Sequence, residues 1–257
     1  MAPPPVSLRT KVLLAGSLAT VAGYADIVCL VRYHAFATMM TGNLLQIGHC
    51  LGGTFDASDA VFFAVIIIFR LMGNALHFFA ERMHTYGTTI VAPLLIFMTL
   101  CIEIPNFLTE KDLYPPRWAV IVLAPIFGMQ SSVSMKGCLG VPTTLGTGHL
   151  QNTMYFIIAK VTNDPKADYN KTVVSCAVVT GIIIGSTAGA FVNSQFGDTH
   201  WATLMMTPVV TILCLLMIVD DMIADPPDLK ASYIGLTSSS STDLTAGVDG
   251  GLKLGGP

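Results

Sequence analysis

Charge is what this chain has least of. Only 11% of its 257 residues are Asp, Glu, Lys or Arg, whereas 53% are hydrophobic and the mean hydropathy is +0.66. Soluble domains carry roughly 25% charged residues, so an ordinary globular protein is excluded. The formal net charge is -3 and no basic run occurs. That argues against nucleic acid as a partner and leaves no polybasic cluster for anionic lipid. Paired cysteines are also missing: Cys29, Cys50, Cys101, Cys138, Cys176 and Cys214 never fall in C-x-x-C spacing. Neither a disulfide framework nor a zinc site is indicated, and cysteines in apolar runs act as small hydrophobes. His77 and His149 lack ligand spacing and read as hydrogen-bonded packing residues. H-E-x-x-H, G-x-x-x-x-G-K-[ST] and a Ser-His-Asp order in motif context are all absent. Metalloproteolysis, ATP-driven transport and triad hydrolysis thus lack their machinery, and neither an enzyme activity nor a cofactor is expected.

What the chain has in quantity is apolar runs. Six stand out, at about 12–31, 61–80, 88–108, 118–135, 172–191 and 201–220, each near the roughly 20 residues that cross a hydrocarbon core as helix. Arg9 and Lys11 before the first run resemble a signal peptide, but the run continues through Leu30, so it reads as an uncleaved first span. From Asp225 onward, Pro226-Pro227, a serine run over 238–241 and a Gly-rich end read as a tail without a core.

The other abundance is repetition. Thr38-Met39-Met40-Thr41-Gly42-Asn43-Leu44 returns as Thr144-Leu145-Gly146-Thr147-Gly148-His149-Leu150, each about fifteen residues after a glycine inside an apolar run, Gly23 and Gly128. The copies lie 105 residues apart at those glycines and 106 at the Thr-Gly pairs, the mark of a duplication. Six spans in two copies make three per copy, and an odd number reverses the second copy in the membrane, as in many secondary transporters. The expectation is therefore an all-α integral membrane protein, multi-pass, with about six transmembrane helices in two inverted three-helix repeats. The Thr-Gly segments, about 38–52 and 143–160, are broken or re-entrant; were both to cross fully, the count becomes eight and the repeats parallel. The chain divides into a cytoplasmic N-terminal segment (1–11), a first membrane repeat (12–116), a second (117–222) and a flexible tail (223–257). In the six-span arrangement Arg9, Lys11, Arg82, Lys136, Lys160, Lys166, Lys171, Lys230 and Lys253 share one side and Arg32, Lys111 and Arg117 the other. Positive charge then places both termini in the cytosol and leaves the sequon at Asn170 unused.

Polar residues stand where lipid disfavours them. Arg70 lies near the middle of the second run, with Asn74, His77 and Glu81 following at helical spacing on one face. A charge at the bilayer centre costs about 2.5–3.5 kcal/mol, so Arg70 is expected to pair with Asp26 or Glu103. The plainer reading of such a pair is a fastening between helices. The Thr-Gly segments suggest an anion site: glycine admits close approach, and a helix starting there presents unpaired N–H groups and the positive end of its dipole. Thr38, Thr41, Thr144 and Thr147 would donate hydroxyls, Gly42 and Gly148 would admit the ligand and fail alike if made bulky, and Lys136 would add charge. Asn43 and His149 belong to the same segments. Small and hydroxyl residues also serve tight helix packing, the reading given to Gly181, Gly185 and Gly189.

Gly23-Tyr24-Ala25-Asp26 with Met40-Thr41-Gly42-Asn43, then Gly128-Met129-Gln130 with Thr143-Thr144-Leu145-Gly146-Thr147-Gly148, resembles the YoaK-like family of small multi-pass membrane proteins, over roughly residues 12–220. The resemblance implies the membrane architecture, directs attention to Gln130, and names no substrate. Where that family usually has asparagine after the glutamine, Ser131 stands here. Two functions follow. One is a secondary transporter or channel for a small anionic solute bound between the repeats. The other is a non-transporting subunit whose G-x-x-x-G face binds a partner helix or a second copy.

Overall fold

The structure, a computed structural model, describes residues 6–53, 56–83, 87–109, 116–136, 139–162, 168–196 and 204–224. Among these the chain is helical throughout, with no strand: α1 (Leu8–Tyr33), α2 (Met40–Leu51), α3 (Ala57–Met83), α4 (Gly87–Thr109), α5 (Val120–Lys136, preceded by a 3-10 turn at Pro116–Ala119), α6 (Gly146–Val161), α7 (Tyr169–Phe196) and α8 (Thr207–Ala224). Helix is the secondary structure that satisfies every backbone group within one segment, which lipid demands. The runs 12–31, 61–80, 88–108 and 172–191 fall within α1, α3, α4 and α7; the run 118–135 begins in the 3-10 turn before α5, and the described part of the run 201–220 begins ahead of α8. Leu8–Tyr33, Ser58–Met83, Arg117–Lys136 and Tyr169–Phe196 are long and apolar enough to cross a bilayer, and Val91–Ile104 and Thr207–Asp220 are shorter apolar stretches. Leu13, Ile68, Phe79, Phe97, Ile183 and Phe191 face outward, as a lipid-solvated surface requires. The tail beyond Ala224, residues 1–5, Lys111, Lys166, Lys230, Lys253 and Cys138 lie outside the described residues.

The two Thr-Gly segments form the short helices. α2 has 12 residues and α6 has 16, about 18 and 24 Å of helix, both less than the hydrocarbon thickness of about 30 Å. The chain reaches α2 through a sharp reversal. His34 closes α1 in the left-handed region (φ 53, ψ 34), its N–H bonded to Leu30 O, and it is the one non-glycine residue with positive φ among the described residues.

Packing pairs α1 with α7 and α3 with α5, lays α2 on α3 and α6 on α7, and sets α4 against α8. Glycine makes the first two contacts close. A Cβ on Gly23 would strike the backbone of Ile182, and one on Gly185 the backbone of Thr20. In the other pair, Gly128 abuts the Arg70 backbone and Gly73 that of Pro125. The Gly181, Gly185, Gly189 face is thus covered by α1 of the same chain, so it offers no seam to a partner helix. α3 and α5 run in the same direction. Arg117 meets Asp59 at 2.7 Å at their first ends, and Lys136 meets Glu81 at 2.8 Å at their last.

Candidate functional site

The turn before α2 is held from α1. Thr38 donates its N–H to Asp26 Oδ1 at 2.7 Å and its hydroxyl to Asp26 Oδ2. Both residues are buried. The N-cap residue of α2, Met39, has no capping side chain, so a carboxylate supplied by another helix complements the free N–H groups and the dipole there. Asn43, fully buried, then grips the turn: its Oδ1 accepts from the Phe36 N–H at 3.0 Å, and its Nδ2 donates to Phe36 O at 2.8 Å.

The turn before α6 is held differently. His149 donates Nε2–H to Pro142 O at 2.7 Å and sets Nδ1 3.0 Å from Ser175 Oγ on α7. Gln130 of α5, fully buried, donates Nε2–H to Thr143 Oγ1 at 3.2 Å and to Leu18 O of α1 at 2.9 Å. Ser131, 105 residues after Asp26, leaves this turn without a corresponding carboxylate.

Arg70 joins the two turns. It is the central residue of α3, thirteen residues from either bound. Its Nη1 donates to Ala37 O at 3.5 Å and its Nη2 to Thr144 Oγ1 at 3.2 Å. Both acceptors are neutral. The expected pairing with Asp26 or Glu103 is corrected in part: neither carboxylate lies within the 4.0 Å of an ion pair with Arg70, and Asp26 acts on the guanidinium only across a longer distance. Each is committed to backbone donors instead: Asp26 to Thr38, and Glu103 to the start of α8, where it accepts from Met206 N at 3.0 Å, Thr207 N at 2.8 Å and Thr207 Oγ1 at 2.5 Å. A helix start presents several donors at fixed spacing, which a carboxylate meets better than a single mobile guanidinium does.

Of the residues selected from sequence, Asp26, Thr38, Arg70, Gln130 and Thr144 come together in the buried centre. Asn43 and His149 brace the turns one residue beyond the glycines, and Ser131 is half-buried beside Gln130. Thr41, Thr147 and Gly148 are exposed on the outer faces of α2 and α6. A Cβ on Gly42 would press into the Phe36 ring, whereas one on Gly148 would meet open space. These positions do not converge on one ligand. Lys136 stands at the end of α5, bound to Glu81 and 3.7 Å from the Phe78 ring centroid, rather than in the centre. Thr143 stands in the family signature without a role assigned to it, although its position beside Thr144 was the available signal, and Ala37 contributes a main-chain carbonyl that no residue type reveals.

A cavity of about 250 Å³ opens where α1 ends, lined by Tyr33, His34, Gln46, Asp59, Phe63 and Arg117. A second, of about 430 Å³, is an apolar hollow between α3, α4 and α5 that includes Phe69, Met72, Phe79, Leu95 and Met98. Neither is lined by Asp26, Arg70 or Thr144. No group of three or more His, Cys, Asp or Glu is placed to hold a metal among the described residues.

No curated protein and no solved structure matches the chain. One family model does, described as a protein of unknown function (DUF1275), over residues 14–218; that family includes the YoaK-like proteins, although no named relative attaches that label to this chain. The match runs from within α1 to within α8 and takes in both turns and the arginine between them, so the chain belongs to the DUF1275 family.

Proposed function

We propose that the protein is a secondary transporter for a small anionic solute, built from two inverted repeats, with the Arg70 centre as its binding site. One observation carries the reading: a guanidinium at the midpoint of a membrane helix is bonded to two neutral oxygens, one from each turn. Asp26 shares the centre but is bonded to Thr38 rather than to Arg70, and a buried guanidinium with only neutral oxygens bonded to it is suited to an anion arriving from outside the protein. The second turn completes the site, since Ser131 stands where the first turn has its internal anion, Asp26.

The helix arrangement supports the repeat. α1, α2, α3 and α4 correspond in order to α5, α6, α7 and α8, and the contact of α1 with α7 exchanges with that of α5 with α3. The glycine contacts follow the same exchange: Gly23 on Ile182 answers Gly128 on Arg70, and Gly185 on Thr20 answers Gly73 on Pro125. In this reading α2 re-enters. Thr38 lies at the depth of Asp26, seven residues or about 10 Å inside the end of α1, and Gln46 lines the cavity at that same end. The chain thus dips in and returns, leaving six crossings, with both termini on the cytoplasmic side by the charge asymmetry.

The test is uptake of radiolabelled small anions into liposomes containing the full chain, alongside Arg70→Lys and Arg70→Gln. The lysine variant is expected to retain part of the uptake and the glutamine variant to lose it, at matched stability in detergent. Equal uptake by Arg70→Gln and the parent sinks the site assignment. The non-transporting subunit is the second reading, and the packed state of the centre favours it, because neither cavity described above reaches Arg70. A parent inactive toward every anion tried would favour it further.

A further inference from the structure

We infer that His77 is a proton-binding group on a polar track leading from one end of the helix bundle toward the Arg70 centre, and that the solute crosses together with a proton. The inference rests on the transport reading. Arg70, Asn74, His77 and Glu81 follow one another along α3, covering twelve residues, or about 16 Å of helix axis. Glu81, its side chain 26% exposed, forms the outer end of the track, 2.8 Å from Lys136 Nζ and 3.5 Å from His77 Nε2. His77 is only 1% exposed, and its Nδ1 lies 2.9 Å from Ser132 Oγ of α5.

These partners suit both protonation states of the ring. In the neutral form Nε2–H faces the Glu81 carboxylate and Nδ1 accepts the Ser132 hydroxyl proton. If that one hydroxyl rotates, Nδ1 holds an added proton and donates it to Ser132 Oγ, with no heavy atom displaced. The proton is taken from water at the Glu81 end and released toward the centre, so none is consumed. Among the described residues, two elements bring charge beside the ring: Glu81, followed by Arg82, on α3 itself, and Lys136 on α5 beyond Glu81. On α4 the ionisable side chains, Cys101 and Glu103, lie toward the other end of the helix, and Glu103 is bound to α8. On α2, His49 and Cys50 lie at its final turn, beside the first end of α3.

Between His77 and Arg70 the track carries an unanswered acceptor. Asn74 Oδ1, on the same face of α3, is buried without a hydrogen-bond donor. A buried carbonyl oxygen left unpaired costs about 1–3 kcal/mol. Such an atom calls for a small donor, and water, the carrier of protons, is suited to that place.

The experiment uses the full chain in liposomes with formate, acetate, chloride and phosphate as probes, and protein-free liposomes as the control for passive leak. With one proton per monovalent anion, each unit of inward acid gradient is expected to raise accumulation about tenfold, and His77→Gln should lose that gain. Ring-¹⁵N spectra of histidine-labelled protein, assigned against His77→Gln, should show His77 passing from neutral to doubly protonated between pH 8 and pH 5. If His77→Gln does not fold, Ser132→Ala is expected to show the same loss. Parent uptake that ignores the acid gradient overturns the inference while leaving transport intact, as does a His77 ring fixed in one state across that range. A parent that takes up no probe overturns transport itself, and this inference with it.

Discussion

The two turns carry nearly the same sequence and are closed by different chemistry. The turn before α2 is sealed by a carboxylate from α1, whereas the turn before α6 is held by an amide and a histidine, with Arg70 bonded to both turns. The bracing residues keep their places, Asn43 gripping Phe36 as His149 grips Pro142, each across seven residues. What changed is charge. The first copy has its anion built in and the second has a serine at that position. In the proposed transporter, the first turn has its anion built in and the second is the one left to receive a ligand.

The strongest way to break this comparison is at Asp26. Asp26→Leu strands the N–H and hydroxyl of Thr38 and removes the cap of α2, with an expected loss of about 3 kcal/mol. Ser131→Ala, at the corresponding site, should change stability by less than about 0.5 kcal/mol. Denaturant titration in detergent followed by circular dichroism reads both, and equal losses would mean that the turns are closed alike. Ser131→Asp tests the other side: it supplies the anion that the second turn lacks, and anion uptake should fall at least about tenfold, or 1.4 kcal/mol, in the liposome assay. Unchanged uptake would remove the second turn from the site.

A smaller effect separates the braces. His149→Ala and Asn43→Ala should each cost about 1–2 kcal/mol. Only the histidine should couple to α7, so the double variant with Ser175→Ala should be non-additive by about 1 kcal/mol, and additivity would show that the Ser175 bond contributes nothing. The smallest effect concerns the paired glycines. Gly148→Ala has open space and should stabilise α6 by about 0.5–1 kcal/mol through helix propensity. Gly42→Ala presses on Phe36 and should destabilise by about 1 kcal/mol. Thermal melts that shift in the same direction for both would restore the equivalence that the sequence suggested.

The helices were legible because lipid imposes a length and a composition on them, and each of the six apolar runs coincides with the greater part of one helix, four of them long enough to cross. The Thr-Gly segments were legible as interruptions, since hydroxyls and glycines break an apolar run where a short helix begins. Partners were not. Arg70 was bound to need one, but a main-chain carbonyl and a threonine hydroxyl serve it, and nothing in residue type distinguishes Ala37 from any other alanine. Charge is visible in a sequence and points to Asp26 and Glu103 as counter-ions, whereas the main-chain N–H groups that claim both, at Thr38 and at the start of α8, are not. Thr41 and Thr147 repeat Thr38 and Thr144 in the sequence but not in burial: three residues beyond the buried threonines, across the change from turn to helix, the residue is exposed.

The close glycine contacts have a consequence for synthesis. α1 packs on α7 rather than on its sequence neighbours, and Tyr33 and Tyr169, the end of one and the start of the other, are 136 residues apart. At the usual elongation rate of about 5–20 residues per second, roughly 7–27 s pass before the partner emerges. During that interval the small-residue groove of α1 waits in the bilayer with lipid tails or insertion machinery against it, and the halves cannot mature one after the other. The protein is interlaced, so its last third finishes a helix made at the beginning.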